Sequence, residues 1–277
     1  MSSLANQPPR PPILRALARP RSIALACIAV LAACGWGYLG LVLAGQQSSG
    51  IWRALCQPIY GATSGLSIAG ICLTFAMWSA MVLAMMLPTA APMVTTYADL
   101  TETATAKGEP AASPLVLIAG YSVVWLGAAL VFTALQGMLA GLDTLDSRIG
   151  IANPFAAGAM FVIAGAYQFS RAKHACLTHC QHPFRFFFAS WTSEPGGVFR
   201  LGLRQGLLCL GCCWAMMLLM FAVGVMNVIW MATLGAVMAV EKLGVTKGFS
   251  RAAGVVFLAV GAIVIVETWI TGWPRPG

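Results

Sequence analysis

Residues 206–240 decide the fold, and they read GLLCLGCCWAMMLLMFAVGVMNVIWMATLGAVMAV without a single charged side chain. As one helix this stretch would extend about 52 Å. The hydrocarbon core of a bilayer is only about 30 Å thick. The segment Gly224-Val225-Met226-Asn227 is the natural place for a break. We therefore expect two membrane spans, 206–224 and 226–241, joined as a tight helical hairpin.

The composition of the whole chain favours a bilayer as its solvent. Apolar residues make up 59% of the 277 residues and charged residues only 9%. Soluble domains are typically about 45–50% apolar and about 25% charged, because charges keep the surface in water. The chain length allows one helical bundle and little beyond it.

Hydrophobicity predicts an all-α, polytopic transmembrane bundle of about seven helices. A span needs about 20 apolar residues. The first span is longer than the apolar core of a signal peptide, so it is interpreted as a retained helix. The predicted spans are 22–44, 67–90, 114–139, 153–170, 206–224, 226–241 and 252–270.

The distribution of basic residues supports seven spans with the N-terminus in the cytoplasm and the C-terminus outside. This arrangement puts 13 of the 16 Lys and Arg residues in cytoplasmic segments, as the positive-inside rule requires. Residues 1–21 are then a Pro- and Arg-rich cytosolic tail. Residues 22–277 form a single transmembrane domain with a cytosolic loop at 171–205. The net charge of +8 reflects this topology, and no nucleic acid partner is expected.

The loop contains the sequence His174-Ala-Cys176-Leu-Thr-His179-Cys180-Gln-His182. It brings all three histidines of the chain and two cysteines within nine residues. On a helix, Cys176, His179 and Cys180 would share one face through their i, i+3, i+4 spacing. Imidazole and thiolate together suit Zn²⁺ or copper. The alternative is a membrane-surface helix whose polar residues are incidental.

Sulfur lines one face of the predicted fifth span. Six residues fall within an arc from about −60° to +80°, taking Cys209 as zero. Thiolate and thioether are soft ligands that select Cu⁺ over hard ions. The alternative is that Cys and Met only fill gaps in the bundle. The six residues are Cys209, Cys212, Cys213, Met216, Met217 and Met220.

A second sulfur stripe lies in the second span, where Met77, Met81 and Met85 follow an i, i+4, i+8 spacing. We expect this stripe to face the cysteines of the fifth span, with Met81 and Met85 as candidate ligands. Pro88 and Pro92 follow, and each must break a backbone hydrogen bond or end the helix.

The sequence carries no sign of an enzyme. It contains no P-loop, no G-x-S-x-G, no H-E-x-x-H and no dinucleotide fingerprint. Charge within the spans is sparse, and Glu241, Lys242 and Glu267 lie close enough to span ends to act as interface anchors. No chain of buried carboxylates is present for a proton pump.

Taken together, these segments resemble the bacterial family of predicted metal-binding integral membrane proteins, a domain of unknown function sometimes labelled copper chaperone. The resemblance covers roughly residues 70–270 and implies metal handling, with copper as the expected metal, in the bacterial inner (plasma) membrane. It rests on Met85-Met86-Leu-Pro88 through Pro92, Tyr97, Tyr167-Gln168, Lys173 through Cys180, Gly206 through Trp214, Met226 through Met231 and Glu241-Lys242.

We therefore expect a multi-pass membrane protein that binds a soft metal and serves in its delivery or import for a metalloenzyme. Its expected partners are the lipid bilayer, the metal ion and a metalloenzyme or oxidase assembly partner. Cu⁺ is the expected ion and zinc the alternative. The rival functions are a secondary transporter of a non-metal substrate, a membrane thiol oxidoreductase and an assembly factor for a respiratory or oxidase complex. The candidate ligands are His174, Cys176, His179, Cys180, His182, Cys209, Cys212, Cys213, Met216, Met81 and Met85.

Overall fold

A computed structural model describes residues 20–46, 68–141, 153–225, 228–244 and 247–271, and every regular element in these ranges is a helix. Most of the N-terminal tail, 1–19, lies outside the described residues, as do Met226 and Asn227 of the predicted break. The helices are α1 Pro20–Gln46, α2 Ile68–Ala106, α3 Pro114–Gly141, α4 Pro154–Gln168, α5 Arg171–Gln181, α6 Pro183–Ala189, α7 Pro195–Val223, α8 Val228–Lys242 and α9 Lys247–Thr271.

Five of these helices are long and apolar enough to cross a membrane, namely α1, α2, α3, α7 and α9. The apolar helix α4 and the helix α8 have 15 residues each. They would extend about 22 Å, which is short for a crossing on their own. The all-helical fold is confirmed, whereas the count of seven spans and the orientation of the termini stay predictions.

The break in the deciding stretch is confirmed. Helix α7 ends at Val223 and α8 begins at Val228. Gly224 between them has φ 98°, a left-handed conformation that glycine adopts without steric cost. The start of this span is predicted too late, at residue 206, because α7 already begins at Pro195. At the first position of a helix the missing N–H of proline costs no hydrogen bond.

Pro88 and Pro92 break backbone hydrogen bonds in α2, the first of the two predicted outcomes, but they do not end the helix. The helix continues through Pro88 and Pro92 to Ala106, 39 residues in all. Pro88 cannot donate to the carbonyl of Ala84, and the indole Nε1 of Trp36 on α1 donates to that carbonyl instead, at 3.1 Å. A neighbouring helix thus satisfies the backbone group that proline leaves free, which is how membrane helices tolerate proline.

Close helix crossings hold the bundle together. Helix α1 packs along α2, α3 along α7, and α4 along α9. Where α3 crosses α7, Gly120 and Gly202 face each other, and a Cβ on either would collide with the backbone of the other helix. Small residues permit this approach, which is the usual basis of helix association in lipid. The crossing fixes the position of α7, and with it the sulfur face, against α3.

The predicted loop 171–205 is mostly helical. Ser170 caps α5 by accepting a hydrogen bond from the backbone N–H of Lys173 at 3.1 Å. Helix α5 then packs against α7. The ammonium of Lys173 forms a buried ion pair with Glu241 of α8, with Nζ 2.7 Å from Oε2. This pair ties α5 to α8 and places the histidine- and cysteine-containing segment beside the sulfur face of α7.

Candidate metal centre

Three thiols of α7 form a compact buried cluster. The Sγ atoms of Cys209, Cys212 and Cys213 all lie within 4.8 Å of one another. The spacing i, i+3, i+4 puts them on one face of the helix, as predicted. The thiols of Cys212 and Cys213 both donate to the Cys209 carbonyl, at 3.0 and 2.8 Å. The cluster needs no backbone rearrangement to present three sulfur ligands to one ion.

The thioether of Met86 on α2 completes a sulfur lining, with Sδ 4.0 Å from Sγ of Cys213. Met86 is fully buried. From the sequence, the methionines of residues 77–86 are expected to face the cysteines, with Met81 and Met85, not Met86, as candidate ligands. The Met81 and Met85 side chains are also buried, but Met85 lies beside Gly235 of α8, where a Cβ would come within 3.4 Å of its Cε.

Met85 and Met86 are adjacent but make different contacts, since Met86 faces Cys213 and Met85 faces Gly235. Met216, like Met217 and Met220, is buried. No sulfur contact with the cluster is described for Met81, Met85 or Met216, and as ligands these three stay predictions.

Lys242, the last residue of α8, directs its ammonium group into the cluster. Nζ of Lys242 donates to Sγ of Cys209 at 3.0 Å and to Oγ1 of Thr89 at 2.7 Å. The Tyr121 hydroxyl also lies 3.1 Å from the Cys209 sulfur. In the described part of the chain the ion pairs are Arg21–Asp99 and Lys173–Glu241, so no carboxylate there pairs with Lys242. Its charge is therefore directed at a thiol.

Sequence reasoning missed the role of Lys242 and Tyr121. Lys242 was expected to be an interface anchor like Glu241. In the structure the two neighbours diverge, because Glu241 faces Lys173 while Lys242 faces Cys209. One signal was available, since Glu241-Lys242 is part of the family resemblance. The position of Lys242 in the sequence, however, does not indicate that its side chain contacts Cys209 on another helix.

Helix α5 brings a further thiol to the same place. Cys180 and Cys209 both line a cavity of about 240 Å³, together with Tyr121 and Lys242. Hydrogen bonding with Cys209 and Cys212, aided by burial, raises the pKa of the Cys180 thiol. The expected convergence of the loop with the fifth span is therefore present at Cys180.

Cys176 lies one turn earlier on α5 and touches α7 at Gly211. A Cβ at position 211 would come within 2.8 Å of the Cys176 Sγ. Tyr167 fixes the same turn, since its hydroxyl donates to the Gly211 carbonyl at 2.6 Å. Burial and the neighbouring Cys212 raise the pKa of the Cys176 thiol. Two cysteines of α5 thus flank the cluster of α7.

Two of the three histidines line a cavity away from this cluster. His179 and His182 are exposed and line a different cavity, and His174 is half-buried. His179 lines that cavity while Cys180 lines the cavity beside Cys209, so the residues predicted to share one face of α5 lie at two different places. The Nδ1–H of His179 donates to the Ala175 carbonyl at 2.9 Å. Metal binding by the three histidines stays a prediction.

Comparison with known proteins agrees with this geometry. The family model PpoB2, described as a copper chaperone, matches residues 75–264 and so includes α2 through most of α9 with the whole thiol cluster. Searches of curated proteins and of solved structures give no significant match. Because the match covers more than half of the chain, the protein belongs to the copper chaperone family PpoB2.

Proposed function

We propose that this protein binds Cu⁺ within the bilayer and passes it to a metalloenzyme, as a membrane-embedded chaperone or importer. The observation that carries the proposal is the buried cluster of Cys209, Cys212 and Cys213 beside the Met86 thioether. Copper is the cargo here, so the proposal describes a binding protein with no catalytic step.

The donor set fits Cu⁺ better than zinc. Structural zinc sites in proteins use four ligands drawn from thiolate, imidazole and carboxylate. The cluster instead offers three thiols and a thioether, and soft thiolate and thioether ligands suit Cu⁺. His179 and His182, whose imidazoles would favour zinc, line another cavity.

Lys242 supports the proposal through charge. Cu⁺ held by two thiolates carries a net charge of −1, which is costly in a low-dielectric bundle unless a cation lies near. The Lys242 ammonium, 3.0 Å from the Cys209 sulfur, balances that charge. A lysine charge beside neutral sulfur side chains that only pack the bundle would be destabilising, whereas it stabilises an anionic metal–thiolate centre.

The cavity between α5 and α7 suggests how cargo reaches the cluster. Cys180 and Cys209 line the same space of about 240 Å³. A thiol on each side allows Cu⁺ to pass from one sulfur to the next without leaving soft ligands. We infer that α5 is the acceptor or donor segment and α7 the internal site.

Metal titration of detergent-purified, reduced protein tests the proposal. We expect Cu⁺ to compete successfully with a colorimetric Cu⁺ chelator and Zn²⁺ to bind more weakly. The triple variant C209S/C212S/C213S should lose Cu⁺ binding, while the matched C27S/C34S/C72S variant, which replaces cysteines of α1 and α2 that lie outside the cluster, should retain it.

Other outcomes would favour the rival functions. A preference for Zn²⁺ would exclude copper as the cargo. Equal metal content in both triple variants would indicate that sulfur only packs the bundle, as in a transporter of a non-metal substrate. Thiol trapping that shows a reversible disulfide within the cluster would favour a thiol oxidoreductase.

Lys242→Gln should weaken Cu⁺ binding by about 10–100-fold, the usual effect of losing an outer-shell partner of a metal site. The physical reason is that the thiolate centre loses its balancing charge. Competition against the same chelator measures the change, with Lys107→Gln as the control because Lys107 is exposed in the turn after α2. An unchanged affinity in Lys242→Gln would contradict the charge argument.

A further inference from the structure

A second, larger cavity has no part in the proposed copper site. It measures about 670 Å³ and lies where α5, α6 and α7 meet. Arg185 of α6 and Arg204 of α7 both line it, together with His179 and His182. Leu207 and Leu208 of α7 form an apolar part of its wall. The cavity therefore combines a basic part with an apolar part.

The two arginines have no carboxylate partner in the described part of the chain. The ion pairs there involve Arg21 and Lys173, and no acidic residue lines the cavity. The guanidinium carbon of Arg204 lies 5.9 Å from the centre of the Phe186 ring, which supports its position without neutralising it. Two uncompensated guanidinium groups in one cavity favour an anion and oppose a metal cation there.

Exposed apolar side chains lie on the helices that form the cavity. Leu207 is 59% exposed and belongs to α7, one of the helices apolar enough to span a membrane. On α6, Phe184 and Phe188 are exposed and stack with ring centres 5.9 Å apart. Exposing two aromatic rings to water is unfavourable, whereas aromatic rings at a bilayer interface lie among acyl chains.

The opposite side of α6 faces the bundle. Phe187 is fully buried and its ring centre lies 5.4 Å from that of Tyr97 on α2. Helix α6 is therefore held against the protein by one set of rings and presents the other set outward. Arg185 follows Phe184 in sequence and is itself exposed.

We propose that this cavity binds the phosphate headgroup of an anionic phospholipid. The arginines Arg185 and Arg204 contact the phosphate, and an acyl chain lies along Leu207. Guanidinium groups bind phosphate through paired hydrogen bonds, and basic pockets beside membrane helices are suited to anionic headgroups. The bound lipid fixes α6, and through it the end of α5 that carries Cys180, at the membrane surface.

Native mass spectrometry of the full-length protein in mild detergent tests this. Wild-type protein titrated with phosphatidylglycerol should retain the lipid, and phosphatidylcholine should bind more weakly because its headgroup has no net charge. The R185Q/R204Q variant should bind phosphatidylglycerol about five- to tenfold more weakly for each arginine removed. The R171Q/R251Q variant loses the same charge at exposed arginines outside the cavity and should bind as wild type does.

A second variant tests the same site independently of whether R185Q/R204Q folds. Ala189 is exposed and lines the cavity, so Ala189→Glu adds a negative charge there with little effect on packing. It should also lower phosphatidylglycerol retention. Equal retention of both lipids, or retention unaffected by Ala189→Glu, would overturn the proposal. Binding of inorganic phosphate without retention of phosphatidylglycerol would show a soluble anion site and would overturn it as well.

Discussion

Cys209→Ser is expected to abolish high-affinity Cu⁺ binding. Its sulfur lies within 4.8 Å of the Cys212 and Cys213 sulfurs and is the atom that Lys242 contacts at 3.0 Å. A serine hydroxyl is a hard donor that does not ionise near neutral pH, so the ion loses a soft anionic ligand and Lys242 loses the thiolate whose charge it balances. The loss of affinity should exceed the roughly 10–100-fold typical of an outer-shell substitution.

Equilibrium competition with a Cu⁺ chelator measures this affinity in the purified protein. Cys72→Ser provides the matched control, since Cys72 is exposed on α2. The same cysteine-to-serine exchange there should leave the affinity unchanged. If Cys209→Ser and Cys72→Ser bind Cu⁺ equally well, the α7 cluster is not the copper site.

Glu241→Ala is expected to lower the free energy of unfolding by about 3–5 kcal/mol, the usual cost of removing one partner from a buried ion pair. Lys173 is 1% exposed and its ammonium has Glu241 as its carboxylate partner at 2.7 Å. Without that carboxylate, α5 must leave α8 or keep an uncompensated charge buried. Either result moves Cys180 away from Cys209 or strains the contact between them.

Unfolding of the purified protein in mild detergent measures the loss of stability. Glu267→Ala is the control, because Glu267 is exposed near the end of α9. The double variant Lys173→Met/Glu241→Leu removes both charges and should recover much of the lost stability. If the unfolding midpoint of Glu241→Ala equals that of the Glu267→Ala control, the Lys173–Glu241 ion pair does not stabilise the contact between α5 and α8.

Local sequence determined that the apolar stretches form helices and which thiols of α7 share a face. Helical periodicity alone places Cys209, Cys212 and Cys213 together, because one helix carries all three at i, i+3, i+4. Hydrophobic length required a break near Gly224, and the left-handed backbone at that glycine provides it. The family resemblance, carried by the same residues, is confirmed by the match over residues 75–264.

Only the tertiary structure decided which side chains from other helices reach the thiols. A periodic pattern gives directions on one helix but not the rotation of its neighbours, which depends on packing such as the Gly120–Gly202 crossing. Packing therefore selected Met86 over Met81 and Met85 and turned Lys242 toward Cys209. It also let α2 continue through Pro88, because Trp36 of another helix satisfies the carbonyl that proline leaves without a donor.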